Sequence, residues 1–554
     1  MASAGVKSAV CLAVAGLAWN AAAAAVAPPA GPSWSYRVAK GDNLYSVARS
    51  YLAPGVGWQQ LARLNRVQDP RRLAPGRELR MPVAWLRAEA AVATVSFIRG
   101  PAQRQAPGAE PAALALGDTL RPGDLLVTEP DTSVTLTLAD ASRVLVAGGS
   151  RVRMESLLSF GRSGVVSTRL GLEKGEADSR INPARAAGTR YDVRTPALTL
   201  GVRGTEFRVR VDGAGTTTEV TEGRVAAASG PRTRERPIDA GFGVVAAAAG
   251  ASGVSKGPDM QPLPAAPQLG SLPTLYERVP LRFSWPVAAG AVAYRAQVFA
   301  EGSLDARLLD GSFDRPAAQW SEDLPDGRYL LQVRARDARG LEGRDGRLAF
   351  TLKARPEPPF TSAPRDEGRA YGEQVEFRWA AVAAAQRYRL QVASESRFEA
   401  PLVDRADLDA PRASVPLPPG RYHWRLASIA AGNDQGPFSD AASFELRETP
   451  PPPSVDKPEA EGSRLVFRWR ARASDDAYDV QVARDPAFQQ LVLDRREKLP
   501  ELVLDKPDPG TYYLRVRSIE SDGFTGPYGA AQEFKVRHSL WWWAVPGVVI
   551  LLLL

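Results

Sequence analysis

The sequence predicts a mainly β, multidomain chain that carries one small mixed unit near its start. Three observations predict it. Between residues 91 and 249 apolar and polar residues alternate, as at Val134, Leu136 and Leu138, which is the signature of half-buried strands. From residue 275 onward one pattern recurs three times with a period of about ninety residues, each copy with a strand ending in Trp and a later strand carrying Tyr. Only between residues 36 and 82 does the apolar spacing become helical. The 554 residues exceed what one core normally holds, and 46 Pro with 48 Gly supply many turns and linkers.

Residues 1–27 read as a secretory signal peptide: Lys7, an apolar run from Ala9 to Trp19, then alanines with A-x-A cleavage options near Ala25 or Ala27. An uncleaved N-terminal anchor is the alternative. The only cysteine, Cys11, lies inside this segment, so the mature chain has no disulfide and no thiolate metal ligand. Val10 stands where lipidation of Cys11 would need a small residue.

The unit at 35–83 is read as βααβ. Tyr36 to Val38 alternates as a strand, and Gly41-Asp42-Asn43 supplies a turn with capping side chains. Leu44, Val47, Ala48 and Tyr51 form one helical stripe, and Pro54-Gly55 ends it. Trp58, Leu61 and Ala62 begin a second helix that stops near Asn65; Pro75-Gly76 turns, and Leu79 and Met81 close the unit as a strand. So small a unit has no room for a deep cavity, and a ligand must lie in a surface groove. Tyr36, Val38, Gly41, Asp42, Leu44, Ser46, Val47, Ala48, Leu61, Asn65, Pro75, Gly76, Leu79 and Pro82 fall in a pattern that resembles the LysM module, a binder of N-acetylglucosamine-containing glycans such as peptidoglycan. The resemblance implies a groove with Asp42, Asn43, Leu44 and Tyr45 on one wall and Asn65, Arg66, Val67 and Gln68 on the other. It departs from the family in having Asn43 where Thr is frequent, and in a short insertion at 53–57. Asp42 and Asn43 are also helix caps, so binding would be an added role. Nine basic residues against three acidic ones suit an anionic polymer, as they would suit a solvated basic face.

Residues 91–250 are read as a β domain. Gly117-Asp118 and Gly123-Asp124 mark turns, and Thr195 to Val211 (TPALTLGVRGTEFRVRV) gives a strand entered through a turn at 201–204. Phe207, Val209 and Val211 would face a core, with Arg208 and Arg210 on the opposite face. Glu222-Gly223 reads as a further turn. The GVRGTEF run at Gly201–Phe207, the preceding Thr195-Pro196 and the paired Gly-Asp turns resemble the FecR domain, with Asp140-Ala141-Ser142 where the family commonly has a central Gly. That family relays an envelope signal to a sigma factor through a cytoplasmic N-terminal segment; here a signal peptide and a glycan-binding unit stand in that place, so the resemblance implies the fold more than the relay.

Residues 251–274 read as a Pro/Gly-rich linker. The three repeats follow at 275–355, 360–447 and 454–537, with Trp285, Trp379 and Trp469, the strands from Tyr294, Tyr388 and Tyr478, and the later Tyr329, Tyr422 and Tyr512. These features resemble fibronectin type III β-sandwiches, whose Trp and Tyr belong to the core. Pro356–Pro359 and Pro450–Pro453 are expected as stiff hinges between them. The uncharged tail 540–554 (LWWWAVPGVVILLLL) reads as a short membrane anchor or as an interfacial segment.

Nothing points to catalysis. His423 and His538 are the only histidines, and no HExxH, GxSxG, Walker or CxxC pattern occurs. No catalytic residue, cofactor or metal site is therefore assigned, and no basic cluster interleaved with aromatics marks a nucleic-acid groove. The expected protein is exported, non-enzymatic and peptidoglycan-binding. It would sit in the periplasm or cell envelope, scaffolding or presenting its β-rich modules to another envelope protein. The alternative is a FecR-type signal-transducing regulator.

Overall fold

The computed structural model describes residues 31–230, 233–247, 260–472 and 475–537. The expected signal peptide, the tail and the first part of the linker lie outside the described residues. The chain divides into two compact units at Leu352/Lys353.

The first unit opens with β1 (Ser33–Arg37), α1 (Leu44–Tyr51), α2 (Trp58–Asn65) and β2 (Glu78–Pro82), the expected βααβ order. β1 begins three residues earlier than Tyr36 and pairs antiparallel with β2, placing Tyr36 opposite Leu79. Leu44, Val47, Leu61, Leu79 and Met81 make the core, but they do not complete it alone. Val83 and Leu86 of the connector, together with Phe160 and Val165 of the β domain, belong to the same apolar cluster. The connector is held by backbone bonds, Ala53 N to Trp85 O and Arg87 N to Tyr51 O, both 2.8 Å.

The β domain is built on three long strands, Val166–Arg180, Thr199–Asp212 and Gly215–Ala228. Val166–Arg180 pairs with Arg151–Ser159 on one side and with Thr199–Asp212 further along, and Arg190–Arg194 joins it in parallel. Phe207, Val209 and Val211 are buried on the core side, as the alternation predicts. Two expectations are corrected here. Gly201–Gly204 is no turn: the strand runs through it, with a register shift between Arg203 and Glu206. The turn expected at Glu222-Gly223 likewise lies inside a strand, Gly215–Ala228: Gly204 (φ +59°) and Gly223 (φ +75°) form the irregularity together, and a Cβ on Gly223 would collide with the Gly204 carbonyl. A β-bulge and a turn ask for the same residue type, and here the bulge is what the glycines serve. The Gly-Asp turns are as expected: Gly117 and Gly123 take positive φ, and Asp118 and Asp124 accept the amides of Ala115 and Arg121. Ala141 takes the same left-handed backbone (φ 63°) without the relief a glycine would give.

The second correction concerns the face carrying Arg208 and Arg210. Arg208 is only 4% exposed. The first repeat lies over it: Arg208 donates to the carbonyls of Glu342 (3.1 Å) and Gly343 (2.7 Å), and Arg210 to that of Gly340 (2.6 Å). Arg334 of the repeat reaches back to Asp178 at 3.2 Å, and Arg180 reaches Asp305 at 3.0 Å. Polar alternation thus marks an interface between domains, not a solvated face.

Each repeat is a two-sheet sandwich. The first has the sheet Leu275–Tyr276, Gly346–Leu352, Gly327–Arg336, Ala293–Ala300, Arg307–Phe313 against the pair Arg282–Ser284 and Ala317–Gln319. The predicted aromatic core recurs in all three. Trp285, Trp379 and Trp469 meet Tyr294, Tyr388 and Tyr478 edge-on at 5.5, 5.4 and 5.2 Å. Tyr329, Tyr422 and Tyr512 each donate to the carbonyl four residues earlier, at 2.6, 2.7 and 2.8 Å. The stretches expected as linker and hinges are packed where they are described. Leu263 and Leu269 are buried, and the carbonyls of Pro264, Pro356 and Pro453 lie where a Cβ on Gly343, Gly436 or Gly529 would stand.

Candidate functional site

The candidate site is the pair of loops flanking α1 and α2. Asn43 caps α1 through a reciprocal box: its side chain accepts the Ser46 amide at 2.9 Å, and the Ser46 hydroxyl accepts the Asn43 amide at 3.1 Å. Asp42 accepts the Tyr36 hydroxyl at 2.6 Å and the Ala39 amide at 2.8 Å. That hydrogen bond to a carboxylate, with burial, pushes the Tyr36 phenol up to about 12, so it stays a donor at any physiological pH. The Leu44 amide donates to the Pro70 carbonyl at 2.8 Å, which ties the loop opening α1 to the loop leaving α2.

The eight sequence-predicted residues fall into two groups. Four are used by the fold. Leu44 is fully buried. Asn43 and Asp42 are engaged as above. Asn65 clamps α2 to β2: its amide donates to the carbonyls of Leu61 (3.0 Å) and Arg80 (2.8 Å), and its oxygen accepts the Arg80 amide at 2.6 Å. Of the other four, Tyr45, Arg66 and Gln68 border the loops as exposed side chains, while Val67 packs against the core. Tyr45 is 42% exposed and leans on Trp58 with ring centroids 4.8 Å apart. Arg66 and Gln68 are exposed, and Val67 is half-buried. Arg66 ends α2 in the left-handed conformation (φ 51°), with the Val67 amide returning to Ala62 O at 2.9 Å. Trp58 is the residue that sequence reasoning left in the helix stripe. Its i+13 distance from Tyr45 hides a contact that only the helix pairing creates.

Elsewhere the chemistry is structural. His423 lies on the strand Gly420–Ile429, as expected from its alternation. Among the described residues no group of three or more His, Cys, Asp or Glu could hold a metal ion. Among them, too, no helix is long and apolar enough to cross a membrane.

Comparison with known proteins places these elements. The family model of the LysM domain matches residues 36–82, and that of the FecR protein family matches residues 124–226. No curated protein matches the chain. Solved structures with similar folds include the chicken CNTN1 FN1-FN3 domains (15% identity, 46% of this chain and 94% of that one, TM-score 0.25). The fibronectin(III)-like modules of Clostridium thermocellum CbhA match at 12% identity, over 32% of this chain and 94% of that one, with TM-score 0.24. A candidate anti-sigma factor from Parabacteroides distasonis ATCC 8503 matches at 17% identity and TM-score 0.20, over 25% of this chain and 59% of its own length. The two matched family models are of a binding and a regulatory module. The chain is a mainly β, multidomain protein carrying a LysM domain and a FecR domain, followed by three fibronectin type III-like modules.

Proposed function

We propose that the protein is an exported, non-enzymatic envelope protein that holds peptidoglycan through the LysM groove and presents its FecR domain and modules to another envelope protein. The observation that carries the reading is the pairing of the two groove loops by the Leu44–Pro70 bond, with Tyr45, Arg66 and Gln68 exposed beside them. Backbone amides and an aromatic face suit an N-acetylated sugar, and a basic border suits an anionic wall polymer. Asp42, Asn43 and Asn65 act by shaping the loops, and Leu44 by anchoring them. The uncharged tail at 540–554 is assigned to membrane contact on its sequence alone.

Co-sedimentation of the protein with purified sacculi tests this. Tyr45→Ala/Gln68→Ala leaves every cap and clamp in place, and is expected to weaken pelleting by about tenfold, or about 1.4 kcal/mol. Pelleting equal to the parent's would remove the groove from the mechanism. Asp42→Ala/Asn43→Ala/Asn65→Ala would instead report folding, because all three side chains are structural.

A second reading, a signal-transducing regulator, is favoured by the FecR match at 124–226. Any partner would have to use surfaces other than the Arg208–Arg210 face, which the first module covers. Crosslinking in intact cells separates the two readings: a sigma-factor regulator partner supports this one, and a wall-bound structural partner the first.

A further inference from the structure

Between the FecR domain and the first module lies a cavity of about 340 Å³. Arg307, at the start of the strand Arg307–Phe313, lines it and is 2% exposed. Its Nε, Nη1 and Nη2 have no hydrogen-bond partner among the described residues. Its charge partner is Asp310, at 3.1 Å from Nη1, but both Asp310 oxygens already accept from Arg295. From the FecR side Ser133 lines the same cavity, and its hydroxyl is also buried without a partner. The acidic residues that line it besides Asp310, namely Asp131 and Glu322, are exposed. Half-buried Arg99 lines it as well and donates to the Leu308 carbonyl.

A guanidinium carries five donors and cannot shed its charge, so burying it with unmet donors is strongly unfavourable unless acceptor oxygens arrive. The module fold does not require it. Three residues before the shared Asp310, Asp404 and Asp494 stand Arg307, Pro401 and Leu491, so the second and third modules do without a cation at this place. We propose that this cavity binds a small oxyanion, a carboxylate or phosphate group, held by the Arg307 guanidinium and the Ser133 hydroxyl. A planar fork meets two oxygens of either group, and a hydroxyl supplies a further donor. The site does not involve the LysM groove and stands or falls apart from it.

Calorimetric titration of the full chain with inorganic phosphate, and separately with acetate, each at ionic strength matched by chloride, tests the proposal. Saturable one-site binding of one probe is expected, and which probe binds tells phosphoryl from carboxyl ligands. Arg307→Met is expected to weaken it at least about tenfold and Ser133→Ala about threefold. Should Arg307→Met fail to fold, Ser133→Ala decides. No saturable binding of either probe above the chloride control, or binding that neither substitution changes, would overturn the proposal.

Discussion

The second and first modules close the same sheet face in different ways. In the second, Arg425 lies between Phe398 and Phe438, 4.3 and 4.2 Å from the ring centroids. The third repeats the device with Arg515 between Phe488 and Tyr528, at 4.1 and 4.2 Å. In the first, Gln332 stands at the place of the arginine, while Leu304 and Asp345 replace the rings. That face is closed by the FecR domain instead, through Arg208, Arg334, Glu342 and Asp345. One fold thus serves two purposes. A face capped by its own rings needs no neighbour; a face left with acids and arginines is half of an interface.

The comparison breaks most easily at Glu342. It is buried, which alone would raise its pKa, but the guanidinia of Arg334, Arg295, Arg208 and Arg336 hold it well below the usual carboxylate range. Glu342→Gln leaves these cations short of a counter-charge and is expected to lower the stability of the first unit by about 3–5 kcal/mol in urea unfolding. A loss under about 1 kcal/mol would mean that backbone contacts, not charge, hold the first module in place.

Glu219 sharpens the comparison through pH. Burial, against the pull of Arg208, raises its carboxyl from 4.5 to about 7, and the carboxylate accepts the Glu342 amide at 3.1 Å. A carboxyl with a raised folded pKa binds its proton more tightly in the folded state. Its contribution therefore falls as pH rises from about 4.5 through about 7, then levels off. Glu342 and Asp345, both lowered, act in the opposite sense and lose their contribution only as pH falls below the usual carboxylate range. Glu219→Gln is expected to flatten the melting temperature between pH 5 and 7.5, ordinary buffer conditions bracketing about 7. An unchanged slope would place the titration elsewhere.

The smallest effect belongs to the self-capped face. Arg425→Met is expected to lower the stability of the second module by about 1–2 kcal/mol, through lost cation–π contact and the bond to Gln391, and to leave the pH slope of the first unit unchanged. A loss as large as that of Glu342→Gln would erase the distinction between the two faces.

What the sequence made legible was local or periodic. Trp285, Trp379 and Trp469 declared three sandwiches because one period repeats, and Asn43 declared a cap because it stands just before the stripe of α1. What it hid was set by distant chain. Arg208 and Arg210 read only as the face opposite the core, since their partners Glu342 and Gly340 lie more than a hundred residues away. Asn65 read as a groove residue because the backbone of Arg80, which it clamps, is brought to it only by the fold. Tyr45 and Trp58 were visible singly, but their contact was not. Gly204 and Gly223 mark special backbone positions, yet residue type alone does not tell a bulge from a turn.

The apolar cluster beneath the LysM domain carries a consequence for ancestry and engineering. Phe160 and Val165 come from the FecR domain, and Val83 and Leu86 from the connector, yet all four complete the same small core. A segment cut at residue 83 or 90 and grafted onto another protein would arrive with a raw apolar underside. The LysM domain is therefore not a portable cassette in this chain. Recombination that moved it intact would have had to carry the hairpin around Phe160 along, so these two domains are expected to be inherited as a pair.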